Sequence, residues 1–536
     1  MATTLYRNGT IYSAADPFAT ALLIDSDTVA WLGGEEAAER YVEKADEVID
    51  LAGALITPAF VESHTHLAAL GRNLGGADLG AASSGSQLLE LLSARAKGAE
   101  SVIIAQGWDE TSWVDSSLPS ETDLSSAAGG RPYYLARRDV HSALVNRELL
   151  DRLGLGSIAS GVVRGAEHDQ VRQALLAEGP GVEEFQRVAL EHYAARGFAT
   201  VVEMAAPHLE GREALDQLLA ADQADHPQVY AYWGELVQEE TAAEQLIRSF
   251  PQGRVLGLGG DLCVDGSIGS RTALLREDYA DDAGNRGLAY LSIEEITAHL
   301  VACSSKGIQA AFHVIGDAAL DLLLEGFDAA AEQVGVAKLQ AARHRLEHAE
   351  MVDEATRARL LSYSITVSMQ PGFDALWGGP EGMYEQRLGE RAATMNNLSA
   401  MLSSGVPLVL GSDAPVTEVN GWAVVRAAMS MSNESGRISA RAGFMGQTRS
   451  TYRAMGEMNP FAGQLLIGAP ATFAIWSASE LAIQTPDERI SSWSTDARAG
   501  TPMLPVVDQE IPTCLRTVRA GVLLFDQLDQ LNEPTA

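Results

Sequence analysis

Two histidines separated by a single residue are the first side chains in the sequence whose types and spacing could bind a metal ion. They are His64 and His66, in the stretch "PAFVESHTHL". Side chains alternate in direction along a β-strand, so both imidazoles would lie on the same face and could chelate one ion. Alone this spacing is a weak signal, because a polar loop can also contain histidine. Further candidate ligands elsewhere in the sequence are needed to distinguish a metal site from a polar loop.

Further polar residues lie at or near the ends of other apolar, strand-like runs. They are Glu203, Asp265, His313, His348, Gln370 and Asp413, in or after runs such as "GFATVVEM", "GIQAAFHVIGD", "HRLEHAE", "ITVSMQPGF" and "VPLVLGSDAP". Each has an ordinary structural explanation when taken alone, such as a helix N-cap for the aspartate of "GSDAP". In a (β/α)₈ barrel, however, the carboxyl ends of all strands converge on the face that carries the active site. The repeated placement therefore favours one shared site.

The chemistry of this set points to a metal-dependent reaction. Four imidazoles and a carboxylate, from His64, His66, His313, His348 and Asp413, suit a divalent transition metal, zinc first. Catalytic zinc lowers the pKa of its water to about 7, and a nearby aspartate could then accept a proton and pass it to a leaving group. The set therefore predicts hydrolysis at a polarised carbonyl by a metal-activated water, most naturally of an amide-like C–N bond.

The elements that must position these residues alternate between two kinds of segment. Besides the runs above, "SVIIAQGWD", "PYYLARRDVH" and "QVYAYWGEL" are strand-like. Apolar residues recur at helical spacing before a glycine, a common helix C-cap, in "EEFQRVALEHYAARG", "IEEITAHLVACSSKG" and "ALDLLLEGFDAAAEQVG". Alternation over several hundred residues predicts a parallel α/β fold, here a (β/α)₈ TIM-like barrel.

Both ends of the chain instead have short strands and hairpin signals. "TLYRNGTIYS" has a central "NG", "ATALLIDSDTVAWLGG" has two apolar runs around "DSD", and "TCLRTVRAGVLLFD" turns through "AG". We expect one small β domain formed by residues 1–56 and 462–536, with residues 57–461 forming the barrel domain.

Composition limits the partners. The 536 residues carry a formal net charge of −34, with a pI near 4.6, and such a surface repels nucleic acid and anionic membranes. Three widely spaced cysteines fit a reducing compartment, and no apolar segment reaches the about 20 residues that span a bilayer. The N-terminus does not resemble a signal peptide. We expect a soluble cytoplasmic protein with a small-molecule substrate, no nucleic-acid or membrane partner, and a homodimer as the commonest assembly.

Taken together, these motifs resemble the amidohydrolase superfamily, and within it the YtcJ-like branch that includes N-substituted formamide deformylases. "LITPAFVESHTHL", "FHVIGDAALD", "HRLEHAEMV" and "GSDAPV" are similar to the motifs of the first, fifth, sixth and last barrel strands. "GWDETSW", "RRDVHSALVN" and, most specifically, "DGSIGSRTALL" are similar to segments of this branch. The resemblance covers nearly the whole chain and implies that both termini form a composite β-sandwich beside the barrel.

The resemblance implies a role for several residues. His64 and His66 would hold the more buried metal, and Asp413 would bind metal and act as general base. His313 and His348 would hold a second metal, or provide one ligand and one substrate contact. Expected substrate contacts are His141, Arg271, Trp108 and Gln370. The alternatives are a loop-tying role for His141, pairing with a carboxylate for Arg271, and a core position for Trp108.

One departure from the branch bears on the number of metal ions. Four residues before Asp265 the branch has a lysine, which bridges two metals when carboxylated, whereas this chain has Asp261. An aspartate has the right charge but a shorter reach. Three outcomes follow: one metal held by His64, His66, Asp413 and one of His313 or His348; a bridge from Glu203; or Asp261 binding a metal directly or through water. We expect a single tightly held metal.

The sequence thus predicts a metal-dependent hydrolase acting on a C–N bond other than a peptide bond, such as that of an N-acyl or N-formyl amine. Two alternatives are a deaminase acting on a ring amidine with the same scaffold, and a catalytically inactive binding protein.

Overall fold

Eight parallel strands form the centre of the protein in a computed structural model that describes residues 2–98, 100–176, 181–221, 224–483 and 501–529. They follow one another around the sheet in sequence order, and we label them β1 to β8. Their bounds are Phe60–Thr65, Phe198–Ala205, Gln228–Trp233, Val255–Leu258, Gln309–Val314, Arg345–His348, Thr366–Met369 and Leu408–Leu410. Every residue of β2 is buried, as expected of a parallel strand covered on both faces.

The sheet closes into a barrel where the segment after β8 returns to β1. The backbone N–H of Asp413 donates to the carbonyl of His64 at 3.1 Å, and that of His66 donates to the carbonyl of Ala414 at 2.9 Å. The predicted (β/α)₈ barrel is therefore confirmed, and its last and first strand ends lie side by side.

Helices follow the strands, and most of them cover the outside of the barrel. The helices Gly85–Arg95, Glu121–Ala127, Arg147–Arg152 and Gly165–Leu175 instead pack on the sheet that is inserted between β1 and β2. From β1 to β5 the helices are Leu67–Arg72, Gly85–Arg95, Glu121–Ala127, Arg147–Arg152, Gly165–Leu175, Glu183–Ala194, Gly211–Ala220, Glu240–Arg248 and Ile293–Ser305. After β5 they are Asp317–Val334, Val336–Ala342, Glu354–Ser362, Pro371–Trp377, Met383–Leu388, Leu398–Ser404, Gly421–Met429, Ala440–Gly446 and Arg449–Ala454. The three helices predicted from apolar spacing are all present.

A separate four-stranded sheet is inserted between β1 and β2. Its strands are Ile103–Trp108, Tyr133–Arg137, Ser142–Val145 and Gly161–Arg164. The runs "SVIIAQGWD" and "PYYLARRDVH" are therefore strands, as predicted, but they lie outside the barrel. Alternating strands and helices do not reveal by themselves which strands share a sheet.

The two termini build two further sheets. One contains Thr3–Arg7, Ala21–Asp25, Thr28–Gly33 and Glu47–Asp50, with helix Glu35–Val42 packed beside it. The other joins Thr10–Ile11 and Leu55–Pro58 to Phe473–Ser477, Thr513–Arg519 and Val522–Asp526. A short pair, Leu481–Ala482 and Leu504–Pro505, lies nearby in sequence. The second sheet combines strands from both termini, which confirms the predicted composite origin of the β domain, whereas the first sheet is built from the N-terminus alone; the domain bounds at residues 56 and 462 stay a prediction.

The hairpins predicted around "DSD" and "AG" form as antiparallel pairs. The one predicted in "TLYRNGTIYS" is wrong, because its two strands belong to different sheets. A Cβ at Gly9 would lie 2.4 Å from Leu51 Cδ1, so the "NG" turn carries the chain tightly from one sheet to the other.

Within the described ranges, no helix combines the length and the apolar character that crossing a membrane requires.

Candidate metal centre

The carboxyl ends of β1 and β8 bring together two imidazoles and a carboxylate. His64 Nε2 and His66 Nε2 each lie 3.4 Å from Asp413 Oδ1. These distances fit shared ligation, because two atoms each about 2.0–2.1 Å from a tetrahedral zinc ion are roughly 3.3–3.4 Å apart. Asp413 has a φ of +53°, a conformation that costs a non-glycine residue about 1–3 kcal/mol and is enriched at functional sites.

A fourth candidate ligand comes from the turn after β4. Asp261 Oδ2 lies 3.3 Å from His66 Nε2, and Asp261 Oδ1 lies 3.7 Å from His64 Nε2. The turn depends on Gly259, which has a φ of +122° and passes so close to β5 that a Cβ there would lie 1.7 Å from Ala311 O. Of the three outcomes considered for the metal site, this position of Asp261 matches the one in which Asp261 binds a metal directly.

His348 and His313 lie at the same barrel end but differ in what their ring nitrogens contact. His348 Nδ1 contacts Gln370 Oε1 at 2.8 Å, which leaves Nε2 for a metal. His348 also belongs to one of the groups of donor atoms that lie within 4.8 Å of one another among the described residues, together with His64 and Asp261. His313 Nε2 instead lies 3.1 Å from Gly266 O, and its ring packs 4.5 Å from that of His348. The geometry thus favours His348 over His313 as a ligand.

A buried ion pair sets the orientation of His64. His64 Nδ1–H donates to Glu347 Oε2 at 2.9 Å, and Arg345 donates to both carboxylate oxygens of Glu347. Although burial opposes ionisation, Arg345 and His64 lower the pKa of Glu347 to about 2. This arrangement fixes the His64 tautomer and points Nε2 at the shared centre, a common role for the partner of a metal-bound imidazole.

Several donor atoms at the centre lack a protein partner. His64 Nε2, Asp261 Oδ1 and Asp413 Oδ1 are buried and accept or donate no hydrogen bond among the described residues. Burial alone would lower the pKa of His64, but Asp413, Glu347 and Asp261 outweigh it and raise the pKa to about 9. The site therefore attracts positive charge, and its nitrogen and carboxylate donors fit a divalent metal ion.

Glu203 is not part of this cluster. Its Oε2 accepts a hydrogen bond from the backbone N–H of Leu67 at 2.9 Å, so it caps the helix that follows β1. Burial and the neighbouring Glu210 raise the pKa of Glu203 well above its ordinary value. Glu203 lies outside both groups of donor atoms among the described residues, although its Oε1 is buried without a hydrogen-bond partner.

Glu62 lies two residues before His64, so by the alternation of side chains along β1 it could share a face with His64 and orient its imidazole. It instead accepts hydrogen bonds from the backbone N–H groups of His64 and Ser412, at 3.2 and 3.0 Å. It therefore ties β1 to the segment after β8 and holds the two ligand-bearing strand ends in register.

A small cavity opens above the donor cluster. His141 lies on its wall with its ring 4.7 Å from that of His313, and burial lowers the pKa of His141 well below its ordinary value. Apolar walls come from Ile268, Phe373 and Trp377. His141 is thus an uncharged imidazole facing the space beside the candidate ligands, where we expected a substrate contact.

Three other expected substrate contacts do not line this cavity. Trp108 packs in the core of the inserted sheet and donates its indole N–H to Leu135 O at 2.8 Å. Arg271 forms an ion pair with Asp281 at 2.7 Å, the alternative considered for it. Gln370 lies behind His348 and orients that ring.

Some residues of the site were missed in the sequence. Glu347 and Arg345 occupy alternate positions of a short strand, and two buried opposite charges there were the available signal. Asp139 was also missed: it accepts hydrogen bonds from Arg137 Nη1 at 2.8 Å and Ser267 Oγ at 2.6 Å. This contact joins "RRDVHSALVN" to "DGSIGSRTALL", so the two segments of the branch resemblance meet at the cavity wall.

A barrel with imidazoles and carboxylates gathered at the carboxyl ends of its strands defines the class as a metal-dependent hydrolase scaffold. The model of the Amidohydrolase family matches residues 47–525, and the chain belongs to this family.

Relatives extend over most of the chain. It is 26% identical to "Protein LONG AFTER FAR-RED 3" of Arabidopsis thaliana, over 89% of this chain and 87% of that protein. It is 26% identical to "Putative amidohydrolase YtcJ" of Bacillus subtilis (strain 168), over 78% and 81% of the two chains. It is 22% identical to "N-substituted formamide deformylase" of Arthrobacter pascens, over 75% and 78%. The predicted YtcJ-like membership of the amidohydrolase superfamily is confirmed.

Among solved structures, the chain is similar to an uncharacterized metal-dependent hydrolase from Pyrococcus furiosus. The two are 27% identical, with a TM-score of 0.67 over 88% of this chain and 98% of that one. The structural similarity therefore extends over most of this chain and nearly all of the other one.

Proposed function

We propose that this protein is a metal-dependent hydrolase that cleaves a C–N bond other than a peptide bond, in an N-acyl or N-formyl amine or a related amide. The observation that carries the proposal is the convergence of three buried metal-ligating atoms that have no hydrogen-bond partner among the described residues: His64 Nε2, Asp261 Oδ1 and Asp413 Oδ1. The relatives named as a putative amidohydrolase and as an N-substituted formamide deformylase support a C–N bond as the target.

We infer that the site holds a single zinc ion. His64, His66 and Asp413 would bind it, and Asp261 or His348, whose donor atoms form a second group that shares His64, would supply one further ligand, which leaves a position for water. When bound, the ion supplies a Lewis acid that polarises a carbonyl oxygen and lowers the pKa of a water molecule.

The chain's own residues would move the proton. Asp413 lies beside both histidines of β1 with Oδ1 directed at their Nε2 atoms, so its other carboxylate oxygen, Oδ2, can accept a proton from the attacking water. Oxygen adds to the carbonyl carbon, the C–N bond breaks, and Asp413 returns the proton to the departing nitrogen. The products are a carboxylic acid and an amine.

Two features of the cavity would assist this reaction. His141 lines the cavity, and burial lowers the pKa of its imidazole well below the ordinary value, so the ring is neutral. A neutral imidazole keeps one N–H, which can donate a hydrogen bond to the substrate's carbonyl oxygen. Ile268, Phe373 and Trp377 would keep bulk water away from the reacting atoms.

The test is a screen of zinc-loaded protein against N-formyl and N-acyl amines, following the released amine. We expect hydrolysis that stops when a chelator removes zinc and returns when zinc is added. Ammonia release from a ring amidine, with no amide hydrolysis, would instead identify a deaminase. Binding of these ligands with no turnover of any of them would identify a binding protein.

Three further expectations stay predictions: a small-molecule substrate, a cytoplasmic location and a homodimer. Size-exclusion chromatography can test the homodimer, and cell fractionation can test the location.

A further inference from the structure

A second, larger cavity lies beside the metal centre. It has a volume of about 350 Å³ and reaches the centre at His66. Its walls come from the helix Leu67–Arg72, the helix Gly165–Leu175, the helix Gly211–Ala220 and the inserted sheet's strand Ile103–Trp108. The cavity is large enough for the part of a substrate that does not react.

Two arginines, Arg72 and Arg172, line this cavity with no described carboxylate at ion-pair distance. Both are partly buried, and neither forms an ion pair or a hydrogen bond with any residue in the described part of the chain. Glu210 and Asp169 act on Arg72 and Arg172, respectively, only at longer range, and the Arg72 guanidinium stacks 5.3 Å over the Phe185 ring. This is unusual in a chain with 72 acidic and 38 basic residues, where other buried arginines, such as Arg137 and Arg345, contact carboxylates.

The acidic residues of the same cavity are engaged elsewhere or exposed. Glu210 accepts hydrogen bonds from the backbone N–H of Ala68 at 3.1 Å and from Gln186 Nε2 at 3.0 Å. Glu183 and Glu213 are exposed at the rim. None of the three is within ion-pair distance of either arginine in the described structure, so the guanidinium groups face the cavity as free hydrogen-bond donors.

A further polar atom of the wall lacks a partner. Asn73 Oδ1 is buried and has no hydrogen-bond partner among the described residues. Asn73 directly follows the helix that carries Arg72. Buried polar atoms without a partner are uncommon unless a ligand or water satisfies them.

We propose that Arg72 and Arg172 bind a carboxylate of the substrate, so that the protein hydrolyses amides carrying a carboxylate group, such as N-formyl or N-acyl amino acids. Guanidinium groups match the planar carboxylate with paired hydrogen bonds. The cavity would hold the carboxylate while the amide reaches the centre past His66. This substrate class rests on the proposed function above.

The first test compares two substrates of nearly equal shape, N-formyl-leucine and N-formyl-leucinamide, with zinc-loaded protein. We expect kcat/KM to favour the carboxylate at least about tenfold, the value of one charge-assisted hydrogen bond. Arg172→Gln should remove about tenfold or more of this preference, mainly through KM, because the loss should be larger with the carboxylate than with the neutral amide. Arg172→Lys should retain part of the preference, and Arg72→Gln should lower it independently.

The matched control is Arg187→Gln. Arg187 carries the same charge on the helix Glu183–Ala194 but is exposed and paired with Glu184 and Glu191. It should leave the preference for the carboxylate unchanged. An equal loss in Arg187→Gln and Arg172→Gln would overturn the proposal, because net charge alone would then explain the effect.

A second test separates this inference from the proposed reaction. Calorimetry measures N-formyl-leucine binding to zinc-loaded Asp413→Asn protein, with and without Arg172→Gln. Binding that weakens about tenfold or more in the double variant supports the carboxylate site even if no amide is hydrolysed. Hydrolysis of both substrates with no preference for the carboxylate, or equal binding by both proteins, overturns the carboxylate site and leaves the hydrolase proposal standing.

Discussion

Replacing Glu347 with glutamine tests how the fold prepares His64 for a metal. Glu347 is fully buried between His64 Nδ1, at 2.9 Å, and Arg345, whose Nε and Nη2 lie 2.5 and 3.1 Å from its oxygens. Glutamine keeps the size of the side chain but removes its charge. Arg345 would then stay buried without a counter-charge, and His64 would lose the partner that fixes its tautomer.

Two magnitudes follow from these contacts. Removing one partner of a buried ion pair costs about 3–5 kcal/mol of unfolding free energy. Losing the hydrogen-bond partner of a metal-bound imidazole weakens metal affinity by about 10–100-fold, or roughly 1.4–2.8 kcal/mol. The pKa of Glu347 is lowered from 4.5 to about 2, so its stabilisation is present above pH 4.5 and is lost as the pH falls through 2. The difference between the two proteins should therefore narrow in acid.

The assay is urea unfolding of chelator-treated protein at several pH values, together with zinc titration against a competing chelator. The control is Glu191→Gln, an exposed glutamate that contacts Arg187 on the outer surface. We expect Glu191→Gln to change the unfolding free energy by less than about 1 kcal/mol. If Glu347→Gln matches this control in both stability and zinc affinity, the Arg345–Glu347–His64 arrangement does not have the role assigned to it.

Three further substitutions test other parts of the site. Asp413→Asn should lower amide turnover by about 10²–10⁴-fold while most of the zinc stays bound, and retained turnover in a kinetic assay would exclude Asp413 as the base. Glu203→Gln should keep the metal content unchanged and alter the unfolding free energy by less than about 1 kcal/mol, since glutamine keeps the size and the acceptor oxygen of a side chain whose charged form burial disfavours; loss of metal in elemental analysis would contradict this. Gly259→Ala should destabilise the protein by about 1–3 kcal/mol more than Gly284→Ala. Both glycines have positive φ, but only at Gly259 would an added Cβ clash with neighbouring atoms. Equal urea concentrations at the unfolding midpoint of the two variants would contradict this reasoning.

The alternation of side chains along a strand was enough to predict that His64 and His66 share a face. The barrel then followed from the repeated strand and helix patterns, which also placed Asp413 at the end of its last strand. These predictions succeed because they depend on local periodicity and on one rule about where parallel strands end.

Other features depend on contacts between distant parts of the chain. The partner of His64 is Glu347, 283 residues away, and no local pattern identifies such a pair. The reach of Asp261 depends on a glycine turn pressed against β5, whereas side-chain length alone argued against it. The position of Trp108 required knowing that its strand belongs to the inserted sheet rather than to the barrel.

The most direct test of the account is a zinc titration of chelator-treated protein that follows hydrolysis of an N-formyl amine. The account predicts that activity is absent without metal and rises to a plateau at one zinc ion per chain. A plateau at two ions per chain, or full hydrolysis before any zinc is added, would contradict it.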